Sequence, residues 1–455
     1  MKTMPAKPAL PVANKLLGLE ALRFVAAFAV LIWHYRHFAY LADKPVDLVT
    51  SHLPLYGLLH LFYEAGKYGV WVFWCTSGFI FFWKYRDSIF DRSTRGWTFF
   101  VFRLSRLYPL HFVTLLVVAI LQSVYFRSHG YFFVYQNNDV RHFLLQIFMA
   151  SEWGLQRGDS FDGPIWSISI EILVYAVFFL MLRFVTKSAL LNLVVIAICL
   201  NFSGQIFSCL AFFYAGGLAA IVRRSIAGAS YAVAIERAAR SATAAILVLM
   251  FWLQPQVVDW LFLLTFTPLL LFCLSCDIAV PASIQSLLEA AGNMTYSSYL
   301  LHFPIQLMIA SAYAMSGNPI PFYSDWFFGI FVASTLTASY FTYRYYEAPA
   351  QAPQASVDGA GTARAPSKRP FASHALTSEI GTTGGERPGR ACPLGKKQKG
   401  REIMATEQTL LKGSCLCGLV AYEVPDSFEI LTLLPLFQLQ ASHRGGCKAV
   451  RRHKV

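Results

Sequence analysis

Two basic side chains lie within the first long apolar segment of the chain, which is long enough to span a membrane. Arg23 and His34 are eleven residues apart. Eleven α-helical residues at about 100° each come within roughly 20° of a whole number of turns, so both side chains share one helix face, about 16 Å apart along the axis. Such a pair is expected to line a cavity. The alternative is that Arg23 reaches the membrane surface while His34 hydrogen-bonds a neighbouring helix, and the spacing leaves both interpretations open.

A second pair of cations, Arg103 and Arg106, opens another apolar segment. The two residues are three apart and therefore share a helix face. Two forked guanidinium groups near a helix N-terminus suit a polyanion such as a phosphate. The alternative is that the pair only anchors the helix at the cytoplasmic surface, where cations accumulate.

A carboxylate, Glu171, lies about two turns into a third apolar segment, with Tyr175 one turn further along the same face. A charged group inside a membrane segment is costly and is usually functional. Glu171 is expected either to orient and stabilise the imidazolium of His34 or to form an ion pair with Arg23 or another cation. His302 is a weaker candidate, and Pro304 after it is expected to kink its helix.

These residues require membrane helices to position them. The chain has 455 residues, of which 56% are hydrophobic and 14% charged, whereas soluble domains have about 25% charged residues. The predicted fold class is therefore an all-α polytopic integral membrane protein with about ten transmembrane helices. The ten segments are 17–41, 68–86, 106–126, 164–185, 188–202, 204–222, 241–254, 257–276, 294–316 and 326–346. The first is not a cleavable signal peptide, because it is too long and contains Arg23.

The loop charges predict the orientation of the chain. The N-terminal arm and the loops after the second, fourth and sixth segments are basic, which favours a cytoplasmic N-terminus and, with ten spans, a cytoplasmic C-terminus. The loop after the eighth segment has no cation and does not support this pattern. Much of the net charge of +13 lies in juxtamembrane loops, where contact with the anionic lipid bilayer explains it, and about half lies in a solvated tail after Ala350. No aromatic interleaving in that tail suggests a nucleic-acid partner.

Six blocks of residues occur in an order that resembles the acyltransferase-3 family, the multi-pass bacterial O-acyltransferases of exported acceptors. The blocks are Gly18-Leu-Glu-Ala-Leu-Arg23-x10-His34, Gly69 to Phe79 ending in Ser-Gly-Phe, Arg103-x-x-Arg106, Trp166-Ser-x-x-x-Glu171, Thr295 to Pro304, and Tyr345-Tyr-Glu347. The resemblance covers residues 15–349. Two departures are Asp162, where the family more often has Asn, and Thr295, where it more often has Ser.

The resemblance implies an enzyme that transfers an acyl group, expected to be acetyl, from acyl-CoA to a hydroxyl of a surface polysaccharide at the inner membrane. Arg103 and Arg106 would bind the donor phosphates, and Arg23 would line the path to the acceptor. His34 would be catalytic, either as general base or as a transient acyl carrier, and Glu171 would assist it. Tyr175 and His302 are assigned to substrate binding. No cofactor beyond the acyl-CoA donor and no metal is expected.

Two other function classes fit ten helices with intramembrane charge. The first is a transporter or exporter of a small anionic or glycan-related solute, although the internal repeats and Gly/Pro-broken helix pairs of many transporters are not seen. The second is an inactive paralogue, against which the intact His34, Arg23, Arg103 and Arg106 argue.

The composition changes after Pro349, which predicts four parts of the chain: an arm (1–16), the transmembrane domain (17–349), a disordered linker (350–403) and a tail (404–455). The start of the tail, with Cys415 and Cys417, resembles the N-terminus of the glutathione-dependent formaldehyde-activating enzyme family. A zinc site needs further ligands, and His443 and Cys447 lack the family's spacing. The tail is therefore interpreted as a degenerate, non-functional fragment of that domain.

Overall fold

The computed structural model describes residues 16–253, 259–275, 280–350, 410–414 and 421–425. Its described part is mainly α-helical. The helices are α1 (Leu17–His34), α2 (Tyr56–Ala65), α3 (Gly69–Phe90), α4 (Gly96–His129), α5 (Val140–Ile147), α6 (Ile165–Phe184), α7 (Ala189–Cys199), α8 (Gln205–Ile226), α9 (Ala232–Leu253), α10 (Trp260–Leu274), α11 (Ala282–Asn293), α12 (Thr295–Ser316) and α13 (Asp325–Thr342).

Each of the ten predicted segments falls on one of these helices. Four stretches are long and apolar enough to cross a membrane: Leu17–Ala39, Gly96–His129, Ile165–Phe184 and Gln205–Ile226. Helices α7 and α10 are apolar but shorter, and α3 is interrupted by charged residues near its end, such as Lys84, Arg86 and Asp87. The chain thus has at least four candidate spans within the described residues, and the count of ten stays a prediction.

Helix α4 begins ten residues before the predicted segment, at Gly96. Arg103 and Arg106 therefore lie in its second and third turns. Because the unpaired N–H groups of a helix are confined to its first turn, the expectation that this pair adjoins a helix N-terminus is wrong. Any anion at these side chains must be bound by the guanidinium groups themselves.

Helices α3 and α8 pack with their backbones in close contact. A Cβ atom placed on Gly78 would lie 1.8 Å from the carbonyl oxygen of Phe213, and one placed on Gly216 would lie 1.8 Å from that of Cys75. Any larger residue at either position would force the helices apart. The glycine of the Ser-Gly-Phe block thus holds α3 at a set depth against α8.

Helix α12 runs without interruption from Thr295 to Ser316 and contains Pro304. Past the end of α13, a π-helical turn over Tyr343–Glu347 brings the buried Glu347 carboxylate to the Ser297 hydroxyl, which donates a hydrogen bond to it. This bond ties the chain that follows α13 to the first turn of α12.

Two short antiparallel strand pairs complete the described structure. Strands β1 (Tyr40–Leu41) and β2 (Lys44–Pro45) form a hairpin after α1. Strands β3 (Leu410–Ser414) and β4 (Ala421–Pro425) pair with Ser414 opposite Ala421, inside the predicted tail. The linker beyond residue 350 and the two cysteines that open the tail, Cys415 and Cys417, lie outside the described residues.

Candidate active site

A cavity of about 130 Å³ lies between α1, α3, α4, α6 and α12. Its polar lining contains five of the predicted site residues: Arg23, Arg103, Arg106, Glu171 and Tyr175. The apolar lining includes Val70, Phe73, Trp74, Ile80, Phe81, Leu107 and Ile168. Two helices distant in sequence, α1 and α4, thus bring the three arginines to one space.

Arg23 is held by two side chains. Its guanidinium donates to the Glu20 carboxylate at 2.9 Å and to the Thr295 hydroxyl at 3.1 Å. A serine at position 295 would offer the same hydroxyl, so this departure from the family pattern preserves the contact. Arg23 therefore lines the cavity with a defined orientation, and the interpretation in which it reaches the membrane surface is not what the structure shows.

Arg103 is held by aromatic rings. Its guanidinium carbon lies 4.9 Å from the ring centre of Phe81 and 5.0 Å from that of Tyr85, whose hydroxyl accepts a hydrogen bond from Nη2. The buried Nε has no hydrogen-bond partner among the described residues. Stacking of this kind orients a cation without neutralising its charge, so Arg103 remains able to bind an anion in the cavity.

Glu171 lies among these cations and not beside His34. Its carboxylate accepts a hydrogen bond of 2.6 Å from the Tyr175 hydroxyl, which confirms that the two side chains share a face. Arg106 and Arg23 are its charge partners. Glu171 lines the cavity, whereas His34 is not among the residues that line it. The structure thus places Glu171 in the arginine cavity, within electrostatic reach of Arg106 and Arg23.

His34 lies in a separate cluster of three histidines. Its ring centre is 4.7 Å from that of His302 and 4.9 Å from that of His37. All three are buried, and His302 is fully so. Sequence reasoning missed His37, although it follows His34 by three residues in the 3₁₀ turn Tyr35–Ala39 and so continues the same face. His302 contributes to this cluster rather than to the cavity lining.

The hydrogen bonds of His34 define its tautomer. Nδ1 lies 2.8 Å from the carbonyl oxygen of Val30, one turn earlier in α1, and a carbonyl can only accept. The neutral ring thus carries its proton on Nδ1 and leaves Nε2 with a free lone pair, as a base or nucleophile requires. The backbone carbonyl of His34 accepts from Gln306 at 2.8 Å, which ties α1 to α12.

One residue of α12, Tyr299, touches both the cavity and the cluster. It lines the cavity, and its ring centre is 6.1 Å from that of His302. Its hydroxyl lies 2.7 Å from the Ser167 hydroxyl and donates to the carbonyl oxygen of Pro164 at 2.9 Å. Thr295, Tyr299 and His302 follow one another at helical spacing, so one face of α12 connects the arginines to the histidines.

Two stretches of the connection between α4 and α6 meet beside the histidine cluster. The Tyr135 ring lies 5.9 Å from that of His37 and 4.7 Å from that of Phe303. It packs directly on Gly163, where an added Cβ would lie 2.1 Å from the ring. Asp162 beside it is 0% exposed, and neither of its carboxylate oxygens has a hydrogen-bond partner in the part of the chain that the structure describes. Burial raises the pKa of Asp162 to about 7, although the Thr114 hydroxyl partly opposes this.

No set of three or more His, Cys, Asp or Glu side chains in the described residues is arranged to hold a metal ion. The histidine cluster therefore packs ring against ring without the convergence of nitrogens that a metal centre needs. The cysteines that the structure describes, Cys75, Cys199, Cys209 and Cys273, are free thiols.

Comparison with known proteins gives two matches. A family model for an acyltransferase domain, that of the acyltransferase-3 family, matches residues 16–344. The chain is also 30% identical over 177 residues to Acyltransferase MdmB of Streptomyces mycarofaciens, a match that covers 39% of this chain and 42% of that protein. The aligned part thus spans less than half of the relative's length. No solved structure matches the chain.

Proposed function

Because this chain belongs to the acyltransferase-3 family, we propose that it transfers an acyl group from acyl-CoA to a hydroxyl of an exported acceptor. The observation that carries this proposal is the placement of three arginines, Arg23 of α1 and two from α4, around one cavity, with the free Nε2 of His34 further along α1. An anionic donor and a proton-transfer residue need such an arrangement. The acyltransferase match favours this function over the exporter alternative.

The arginine cavity is proposed as the donor site. Acyl-CoA carries several phosphate charges at one end and a thioester at the other. Arg103 and Arg106 would bind phosphate oxygens by charge-assisted hydrogen bonds. Arg23 lies on the path towards His34. Glu171 offsets part of the positive charge, so the three cations can share one space without a bound anion.

His34 is proposed to carry out the chemistry. The oxygen of the acceptor hydroxyl attacks the thioester carbonyl carbon while its proton passes to Nε2 of His34. The carbon–sulfur bond then breaks, and the imidazolium returns the proton to the leaving thiolate to give CoA and an ester. Throughout, the carbonyl of Val30 holds the proton on Nδ1. The same lone pair would attack the thioester if His34 carried the acyl group.

The acceptor is proposed to be a sugar hydroxyl of a surface polysaccharide, and the acyl group acetyl. With a cytoplasmic N-terminus, Arg23 lies towards the cytoplasm, where acyl-CoA is made, and the histidine cluster lies towards the outer face. The membrane in this proposal is the inner membrane, with both termini cytoplasmic. The family match and the separation of arginines from histidines support this assignment.

Replacement of His34 by Ala tests the proposal. A general base contributes about 10²–10⁴ in rate, so we expect at least a hundredfold loss of acyl transfer to surface glycan, measured by mass spectrometry of the glycan from cells with equal amounts of membrane-inserted protein. His60→Ala, an exposed histidine of α2, is the matched control. Full activity of a well-inserted His34→Ala variant would rule out this mechanism.

A further inference from the structure

The donor cavity stops short of the histidine cluster. Phe73 and Tyr299 line the cavity, whereas His34, His37 and His302 do not. The rings of Phe73 and Tyr299 meet edge to face with their centres 6.3 Å apart. Tyr299 also contacts His302, so this pair of rings marks the side of the cavity that faces the histidine cluster.

The two rings differ in how firmly they are held. The hydroxyl of Tyr299 is bonded to Ser167 and to the carbonyl of Pro164, and the residue is buried. Rotation of Tyr299 would break both bonds in a buried place, where unmade hydrogen bonds are costly. Phe73 is only partly buried and has no polar group to hold it. Its helix cannot shift easily, because α3 packs backbone to backbone on α8 at Gly78, so the movable part is the Phe73 ring.

We propose that Phe73 is a gate between the donor cavity and the histidine cluster, and that the opening it leaves against the fixed Tyr299 ring sets the length of acyl chain that reaches His34. This inference rests on the proposed function. A reacting carbonyl carbon must come within about 3–3.5 Å of the attacking atom. A short acyl group passes when the Phe73 ring turns aside, whereas the added methylenes of a longer chain meet the immobile Tyr299 ring.

The preference of the enzyme for acyl groups of different length tests the gate. The full chain is purified in detergent and mixed with surface polysaccharide from cells that lack the protein, which supplies the acceptor hydroxyl. Release of free CoA from acetyl-CoA, butyryl-CoA and hexanoyl-CoA is followed with a thiol reagent. We expect Phe73→Ala to raise the hexanoyl-to-acetyl ratio of kcat/KM by about tenfold or more, since methylenes that fit a pocket are worth this much. Phe73→Trp should lower the ratio. The KM for acetyl-CoA should change little, because the arginines that bind its phosphates are untouched.

Two controls separate the gate from other effects. Phe90→Ala removes an exposed ring from the far end of α3 and should leave the ratio at its wild-type value. Phe73→Leu is measured beside Phe73→Ala and takes its place if the alanine variant aggregates. The expected rise in the hexanoyl-to-acetyl ratio is smaller for the leucine variant. Wild-type CoA release with an unchanged ratio in the Phe73 variants would overturn the gate alone. No CoA release by the wild-type protein from any of the three donors would overturn the proposed donor and the gate together.

Discussion

The buried carboxylate of Asp162 should make the folded protein less stable as the pH rises through neutrality. Burial raises the pKa of Asp162 from 3.8 to about 7, so the folded state holds this proton more tightly than the unfolded chain. In such a case the stability is greatest below the unfolded pKa and declines as the pH rises from about 4 to about 7. A difference of about three pKa units corresponds to about 4 kcal/mol in the free energy of unfolding. This stabilisation is lost by pH 8.

Asp162→Asn isolates this effect, because an amide of the same shape does not titrate. We expect the variant to match the wild type near pH 4 and to exceed it by up to about 4 kcal/mol at pH 8. The measurement is the thermal unfolding midpoint of the purified protein in detergent at pH 5 and pH 8. Other groups titrate in this range in both proteins, so the difference between their pH slopes reports on Asp162.

Asp139→Asn is the matched control. Asp139 caps α5 by accepting from the backbone N–H of His142, and this bond, followed by that from the His142 side chain, lowers its pKa. The stability that Asp139 contributes is present above its unfolded pKa and is lost only as the pH falls through its folded value, below 3.8. Asp139→Asn should therefore leave the pH dependence of the unfolding midpoint between pH 5 and 8 unchanged. If Asp162→Asn kept the full wild-type slope, the reasoning about this buried carboxylate would be refuted.

Three further predictions concern the proposed donor and catalytic residues. Arg103→Gln and Arg106→Gln should each raise the KM for acetyl-CoA about tenfold or more, since a hydrogen bond to a charged group is worth about 1.5–3 kcal/mol. An unchanged donor affinity would indicate that the two arginines only anchor the helix at the membrane surface. Tyr175→Phe should lower stability by about 1–3 kcal/mol by leaving a Glu171 oxygen without its partner, and an unchanged unfolding midpoint would contradict this. Incubation with acetyl-CoA alone, followed by mass spectrometry of the peptide containing His34, should show an added acetyl group if the residue is a carrier, and its absence during turnover would favour a base.

Contacts within one helix could be predicted from sequence, and contacts between helices could not. The Glu171–Tyr175 hydrogen bond follows from a spacing of four residues, as does the Val30 carbonyl beside His34. The partners of Glu171 depend on which helices α6 packs against, and the hydrophobic periodicity of the sequence carries no information on that packing.

The start of α4 shows the second limit of sequence reasoning. A hydropathy window places the segment where charges end, at 106, but basic and polar residues continue the helix back to Gly96. The burial of Asp162 gave no sequence signal beyond its departure from the family's asparagine, because it lies in an irregular connection and not in a periodic element.

The separation of arginines from histidines leads to a kinetic consequence that either group alone would not have. If the donor is held by its phosphates while its thioester passes Phe73 to reach His34, binding and chemistry are divided between two places. Loss of an arginine removes an interaction present in both ground and transition states and should raise KM at nearly constant kcat, whereas loss of His34 should lower kcat at nearly constant KM. A His34 variant that changed only KM would place the histidine in donor binding. The assignment of donor binding to the arginines and of chemistry to His34 would then have to be reversed.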